Sequence, residues 1–176
     1  MARRGGGSRS SVRRRVALAE ADVLWRRADA LSDRGRNKQA FALFRAAAQL
    51  GDDGAQLNVG YCYDVGKGVR KNTSRAMLWY KDASRRGNCA AAHNIGTVYR
   101  DKGVFGLARR WFLNAIKRGH AGSAIELAKL YLGRGKPAVA RRYLAYALAR
   151  PDLMSEAEFE EAEQLLRSLN QTSVSR

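Results

Sequence analysis

Cysteine, proline and histidine are nearly missing from this chain, which has two of each among 176 residues. Two cysteines cannot build the dense disulfide framework of a small secreted domain; they suit a reducing compartment, and both Cys62 and Cys89 are expected to stay thiols. Neither histidine nor cysteine falls into HExxH or paired CxxC spacing, so nothing supports a metal site or a cofactor. Scarce proline leaves few helix breakers. Valine and isoleucine are scattered and alanine is abundant, so alternating strand patterns are absent, helix formers dominate, and the class is all-α. No apolar run approaches the roughly 18 residues of a membrane span, and acids interrupt the stretch VALAEADVLW where a signal-peptide core would lie. The chain is therefore expected to be unsecreted and cytoplasmic.

Acidic residues are also short: 16 stand against 33 basic ones, a net charge of +17. Such a balance favours acidic proteins, nucleic acid or an anionic membrane surface as partners, without choosing among them. Residues 1–15 carry six arginines and no acid, and read as a disordered basic tail, with an organellar transit sequence as the alternative. The end is acidic, because residues 155–176 hold five glutamates against two arginines.

What is present is a repeat. Asn58, Val59, Gly60 and Tyr63 recur 36 residues later as Asn94, Ile95, Gly96 and Tyr99, and Ala40, Ala76, Ala108 and Ala140 align the rest of each unit. This register brings together Gly51, Gly87, Gly119 and Pro151, then Val59, Ile95, Leu127 and Phe159. Intervals of 36, 32 and 32 residues differ only in the loop GKGVRKNTS, shortened to KGVFG and RGKPA. A period of this size is the mark of a solenoid, whose connections absorb length changes while its helices do not. Each unit reads as two helices. The first has small residues at its closest approach (Ala55 and Gly60, Ala91 and Gly96, Ser123 and Ala128) and a tyrosine in the next layer (Tyr63, Tyr99, Tyr131). The second carries an apolar stripe at i, i+3, i+4, i+7: Ala76, Trp79, Tyr80, Ala83, repeated from Ala108 through Trp111 and Phe112 to Ala115. All four of those aromatics are expected in the core. The glycines at 51, 87 and 119 stand where helices stop. Helix pairs are expected at about 16–53, 54–89, 90–121 and 122–152. A capping helix follows at 155–169, begun by Ser155 and Glu158, with 171–176 as a short tail. Residues 16–170 form the repeat domain.

The stretches AFALFRAAAQLGDDGAQLNVGYCYDVGKGV and AMLWYKDASRRGNCAAAHNIGTVY resemble the Sel-like repeat family, relatives of the tetratricopeptide repeats, over residues 38–135. The third copy departs from the pattern, with Ala128 for Gly and Glu126 for Asn. VLWRRADALSDRGRNKQAFALF is similar to a tetratricopeptide pair. The resemblance implies a right-handed solenoid of antiparallel helix pairs whose first helices line a concave surface, and a role as a non-enzymatic scaffold or adaptor for other proteins. It also implies which positions face that groove: Asn58 and Tyr61, Asn94 and Thr97, Glu126 and Lys129, with His93 and Arg100 nearby. The repeated asparagines either contact an extended ligand or satisfy a neighbouring helix's backbone. Secreted relatives with regular cysteine pairs have been linked to β-lactam hydrolysis, and this chain lacks that cysteine pattern.

Catalytic motifs are otherwise missing. YLGRGKPAVA lacks the first glycine of a phosphate loop and has Pro137 where Ser or Thr should stand, and no nucleophile elbow occurs. Arg109-Arg110 matches Arg141-Arg142, and Arg85-Arg86 matches Lys117-Arg118. Such pairs are either solvated outer faces or basic stripes able to hold phosphates. The preferred reading is a scaffold that binds an acidic peptide or protein through the first-helix groove. A nucleic-acid-binding module that uses the stripes and the Arg-rich tail is the alternative.

Overall fold

Nine α-helices and one 3-10 turn make up the described part of the computed structural model, residues 6–174. They are α1 (Gly6–Asp33), α2 (Asn37–Gln49), α3 (Asp53–Val65), α4 (Thr73–Arg85), α5 (Cys89–Asp101), α6 (Phe105–Lys117), α7 (Gly122–Leu132), α8 (Pro137–Leu148), the turn Pro151–Leu153, and α9 (Glu156–Val174). Among the described residues there is no strand. The fold is an all-α solenoid of antiparallel helix pairs. The chain divides into two compact units, the first ending at Asn88 and the second starting at Cys89.

In the first unit α1 packs on α2 and α3 on α4, with α2 joining α3. Ala21, Ala28, Ala47, Ala55, Val59, Ala76, Tyr80 and Ala83 are fully buried. Small side chains let the backbones approach, and the ring of Tyr80 fills the space that remains. At Gly60 the two helices of the pair approach closely, since a Cβ there would lie 2.6 Å from the Tyr80 ring. Asp52 caps α3 by accepting from the Ala55 N–H at 2.6 Å, and Asn72 caps α4 by accepting from the Arg75 N–H at 2.9 Å. Gly51, which ends the preceding turn, has φ +96°, a conformation that excludes most other residues.

The second unit repeats this plan with α5 on α6 and α7 on α8, closed by α9. A Cβ on Gly96 would lie 2.6 Å from the Phe112 ring. In the next pair Ala128 replaces the glycine and Leu144 replaces the ring, and both are fully buried in one cluster with Ile125, Ala140 and Ala162. Each added carbon on one helix is matched by a smaller group on the other. Ser155 and Glu158 form the reciprocal cap of α9: the Ser155 N–H donates to the Glu158 carboxylate at 2.9 Å, and the Glu158 N–H to Ser155 Oγ at 3.3 Å.

Three expectations need correction. Helix α1 starts at Gly6, so residues 6–15 are helical where a disordered tail was expected; residues 1–5 lie outside the described residues. Nothing in GGSRSSVRRR breaks a helix already nucleated from Val16 onward, and propagation adds a hydrogen bond per residue. Helix α9 likewise runs to Val174, into the segment read as a tail, since no glycine or proline stops it; residues 175–176 lie outside the described residues. Tyr80 and Phe112 are fully buried, whereas Trp79 and Trp111 are only partly covered. The close-approach residues Gly60 and Gly96 each accept one ring, and the neighbouring indole is turned to the flank.

Candidate functional site

Residues Asn94, Thr97 and Arg100 follow one another at i, i+3 and i+6 on α5, which sets them along one side of the helix, and all three are partly buried. On α7 the corresponding positions are Glu126 and Lys129. The two helices are joined by charge. Arg100 pairs with Glu126 and, at 2.9 Å, with Asp101; Lys129 Nζ lies 2.9 Å from Glu126 and 2.6 Å from Glu161 of α9. The result is a chain of alternating sign, Asp101, Arg100, Glu126, Lys129, Glu161, across the first helices of the second unit. Burial alone would raise the Glu126 carboxyl, but Lys129 and Arg100 outweigh it and hold it below the usual carboxylate range. Burial likewise opposes the charge of Lys129, and the carboxylates of Glu161 and Glu126 overcome that and raise its pKa.

Beside this chain opens a cleft of about 430 Å³ lined by Arg100, Phe105, Glu126, Lys129, Leu130, Gly133 and Arg134. The Arg134 guanidinium lies 3.6 Å from the centre of the Phe105 ring, and Phe105 meets Tyr131 edge to face at 5.8 Å. The lining therefore offers three cations, one carboxylate and an apolar wall. The sequence pointed to Arg100 and Lys129 but missed Phe105, Arg134 and Glu161. Arg134 sits in the RGK loop, whose only legible signal was a failed phosphate motif.

His93 is placed elsewhere. Its Nδ1 is 2.9 Å from Ser123 Oγ, which is 3.1 Å from His120 Nδ1, and the two imidazoles stack at 4.5 Å between centroids. Ser123 is fully buried. Burial, with the neighbouring His120 adding to it, pushes the His93 pKa down to about 4, and burial lowers His120 as well. His93 thus belongs to a buried polar cluster between α5 and α7. In the first unit Asn58 is partly buried and Tyr61 is 47% exposed on α3.

The arginine pairs also separate. Arg109 donates to the Tyr131 hydroxyl at 2.9 Å, and Arg141 donates to the Leu169 carbonyl at 2.5 Å, so each first member holds the fold. Arg110 and Arg142 are exposed. Arg142 edges a smaller cavity of about 310 Å³ with Ile116, Val139, Tyr143 and Tyr146. Cys62 is buried and Cys89 partly buried; both are free thiols, and burial raises the Cys62 pKa against the opposing charge of Lys67. Among the described residues no His, Cys, Asp and Glu cluster could hold a metal ion, and no helix is long and apolar enough to cross a membrane.

Comparison with known proteins matches this geometry. The Sel1 repeat model fits residues 36–52, 54–88 and 90–120. Protein SHC1 of Saccharomyces cerevisiae is 33% identical over 72 residues, which are 41% of this chain and only 14% of that protein. A crystal structure of a Sel1 repeat protein from Oxalobacter formigenes superposes with a TM-score of 0.66 at 21% identity, covering 86% of this chain and 73% of that one. The uropathogenic Escherichia coli protective antigen c5321, displaying an SLR fold, superposes at 0.56 with 22% identity, covering 77% of this chain and 34% of that one. At these identities the structures speak to the fold alone. The repeated Asn-apolar-Gly-x-x-Tyr units, the glycine-to-ring crossings and the matched repeats together mark residues 36–120 as Sel1 repeats.

Proposed function

We propose that this chain is a non-enzymatic protein-interaction module whose second unit receives an acidic peptide in the cleft of Arg100, Lys129 and Arg134. Sel1 repeat proteins generally mediate protein–protein interaction, which supports the general reading. The observation that carries the finer one is the cleft's lining: three cations against the single carboxylate of Glu126, over the apolar surface of Phe105 and Leu130. A carboxylate side chain entering there replaces hydration around Arg134, while an apolar neighbour covers the wall. Charge-assisted pairs of this kind are stronger than neutral hydrogen bonds. In this reading Asn94 and Thr97, next along α5, meet the peptide's backbone.

The test uses the full chain and a fluorescent peptide of alternating Glu and Leu, read by anisotropy. Arg134→Ala should weaken binding about threefold to tenfold, the range of a partly exposed charge pair. Arg110→Glu with Arg142→Glu should leave it nearly unchanged. If the second pair of substitutions abolishes binding and the first does nothing, the outer stripe is the binding surface. A single-stranded oligonucleotide that binds more tightly than the peptide, with a slope of log K against log salt that falls by about one per arginine removed, would favour nucleic acid instead.

A further inference from the structure

Helix α1 has 28 residues and its partner α2 has 13, about 42 Å against about 20 Å at 1.5 Å per residue, so the N-terminal half of α1 runs on past the end of α2. One face of α1 packs inward, with Ala21 and Ala28 fully buried. The opposite face carries Val12, Val16 and Val23 at 54%, 62% and 65% exposure, with Ala19 exposed between them. Their spacing is 4, 3 and 4 residues. That is the a and d pattern of a coiled-coil seam, and on an unpacked helix face it has no intramolecular role.

The flanks of the seam identify the occupant. Beside it stand Arg13 and Glu20 on one edge and Arg15 and Asp22 on the other, at the e and g positions that set coiled-coil pairing. We propose that this face pairs with a second copy of the same chain, α1 against α1, antiparallel. Val12 then faces Val23 of the second copy and Val16 faces its Ala19, so four apolar layers form about the two-fold axis. In that register Arg13 meets Glu20 of the second copy and Arg15 meets its Asp22, each twice by symmetry. Asp22 pairs within its own helix with Arg26 at 3.1 Å, both well exposed, and the proposed contact competes for it. The seam ends at Arg26, which would oppose Arg9 of the second copy. A parallel pair would set Arg26 against Arg26 inside the seam and align the two runs Arg13–Arg15 side by side. An anionic membrane is disfavoured by the same flanks, because Glu20 and Asp22 border the apolar stripe.

The test is sedimentation velocity on the full chain from low to high micromolar concentration, with the expectation of a reversible monomer–dimer equilibrium. Val16→Lys with Val23→Lys should leave monomer throughout, and unchanged helical circular dichroism should confirm folding, since both sites are exposed. Arg13→Glu with Arg15→Glu should weaken the dimer about tenfold, and adding Glu20→Arg with Asp22→Arg should restore it. Orientation is read by oxidation: a mixture of Val12→Cys and Val23→Cys chains should crosslink faster than either alone. A monomer at every concentration, a dimer indifferent to the valine changes, or faster crosslinking of each cysteine variant with itself overturns the proposal. So does binding of the monomer to phosphatidylserine vesicles that the valine changes abolish without any self-association.

Discussion

Gly60 and Tyr80, Gly96 and Phe112, Ala128 and Leu144 are three solutions to one packing problem, in which two helices approach and the atoms removed from one are supplied by the other. The third pair predicts how the second can be changed. Gly96→Ala should destabilise by roughly 1–3 kcal/mol, because its Cβ would lie 2.6 Å from the Phe112 ring in a close-packed interior. Phe112→Leu should also destabilise, through the cavity it leaves. Made together they recreate the Ala128–Leu144 pair, and urea denaturation should show the double variant more stable than the sum of the singles by about 1 kcal/mol or more. Strict additivity would show that the two positions do not share the space. His93 gives a second prediction. Its pKa is depressed from 6.5 to about 4, so the unfolded chain binds a proton in that interval that the folded chain does not. Its contribution to stability is therefore complete above pH 6.5, declines as the pH falls toward 4, and is lost below, a change of at most roughly 3 kcal/mol. Thermal melts across this range should show a decline that His93→Gln flattens. The glycine spacing was legible because a missing side chain has one common cause at a helix crossing. The histidine cluster was not, since His93 and Ser123 lie 30 residues apart and meet only once α5 and α7 are in register.

Among the elements, helix ends decide where the repeat begins and stops. Ser155 and Glu158 were readable as a cap because both partners lie within four residues, and the structure closes both hydrogen bonds. Ser155→Ala should cost about 1 kcal/mol, and since Ala162 and Leu169 of α9 share one buried cluster with α7 and α8, the loss should appear in the melting of the whole second unit. Hydrogen exchange confined to α9, with no change in α7 and α8, would instead mark α9 as an independent appendage. The start of α1 was harder to read, because arginine and serine suit both a solvated helix and a tail, and composition does not separate them. The helix dipole favours acids in the first turn of α9. Glu156 and Glu158 do lie in its first turn, but Glu161 reaches Lys129 on another helix, a pairing that local sequence does not encode. For the same reason Arg100 and Lys129 could be named from the sequence as candidate site residues, and their pairing with Glu126 could not.

At the scale of the whole molecule, the proposed function requires a way for a chain of net charge +17 to select an acidic peptide over other polyanions. Long-range attraction raises the rate of encounter and is screened by salt, so it cannot choose. Selection requires that some cations be held in fixed places and their charge partly offset, and Glu126 does this in the cleft. Its side chain is 13% exposed, against 34% for Arg100 and 35% for Lys129, so it is the inner member of the network. Glu126→Gln should then act in two directions. Stability should fall by about 1–2 kcal/mol, between the values for exposed and buried pairs, because two partly covered cations lose their shared carboxylate. Affinity for the Glu–Leu peptide should rise, because Arg100 and Lys129 each lose one of two carboxylate partners, keeping Asp101 and Glu161, and gain room to accept a carboxylate of the peptide. The pH profile gives the control. The Glu126 carboxyl is held below the ordinary range, so its stabilisation is present at neutral pH and is lost only as the pH falls through that depressed value; the parent and the variant should converge in acid. A Glu126→Gln chain that is less stable yet binds the peptide no better would show that the network serves the fold alone, and that the peptide's carboxylates are met by other cations on the surface.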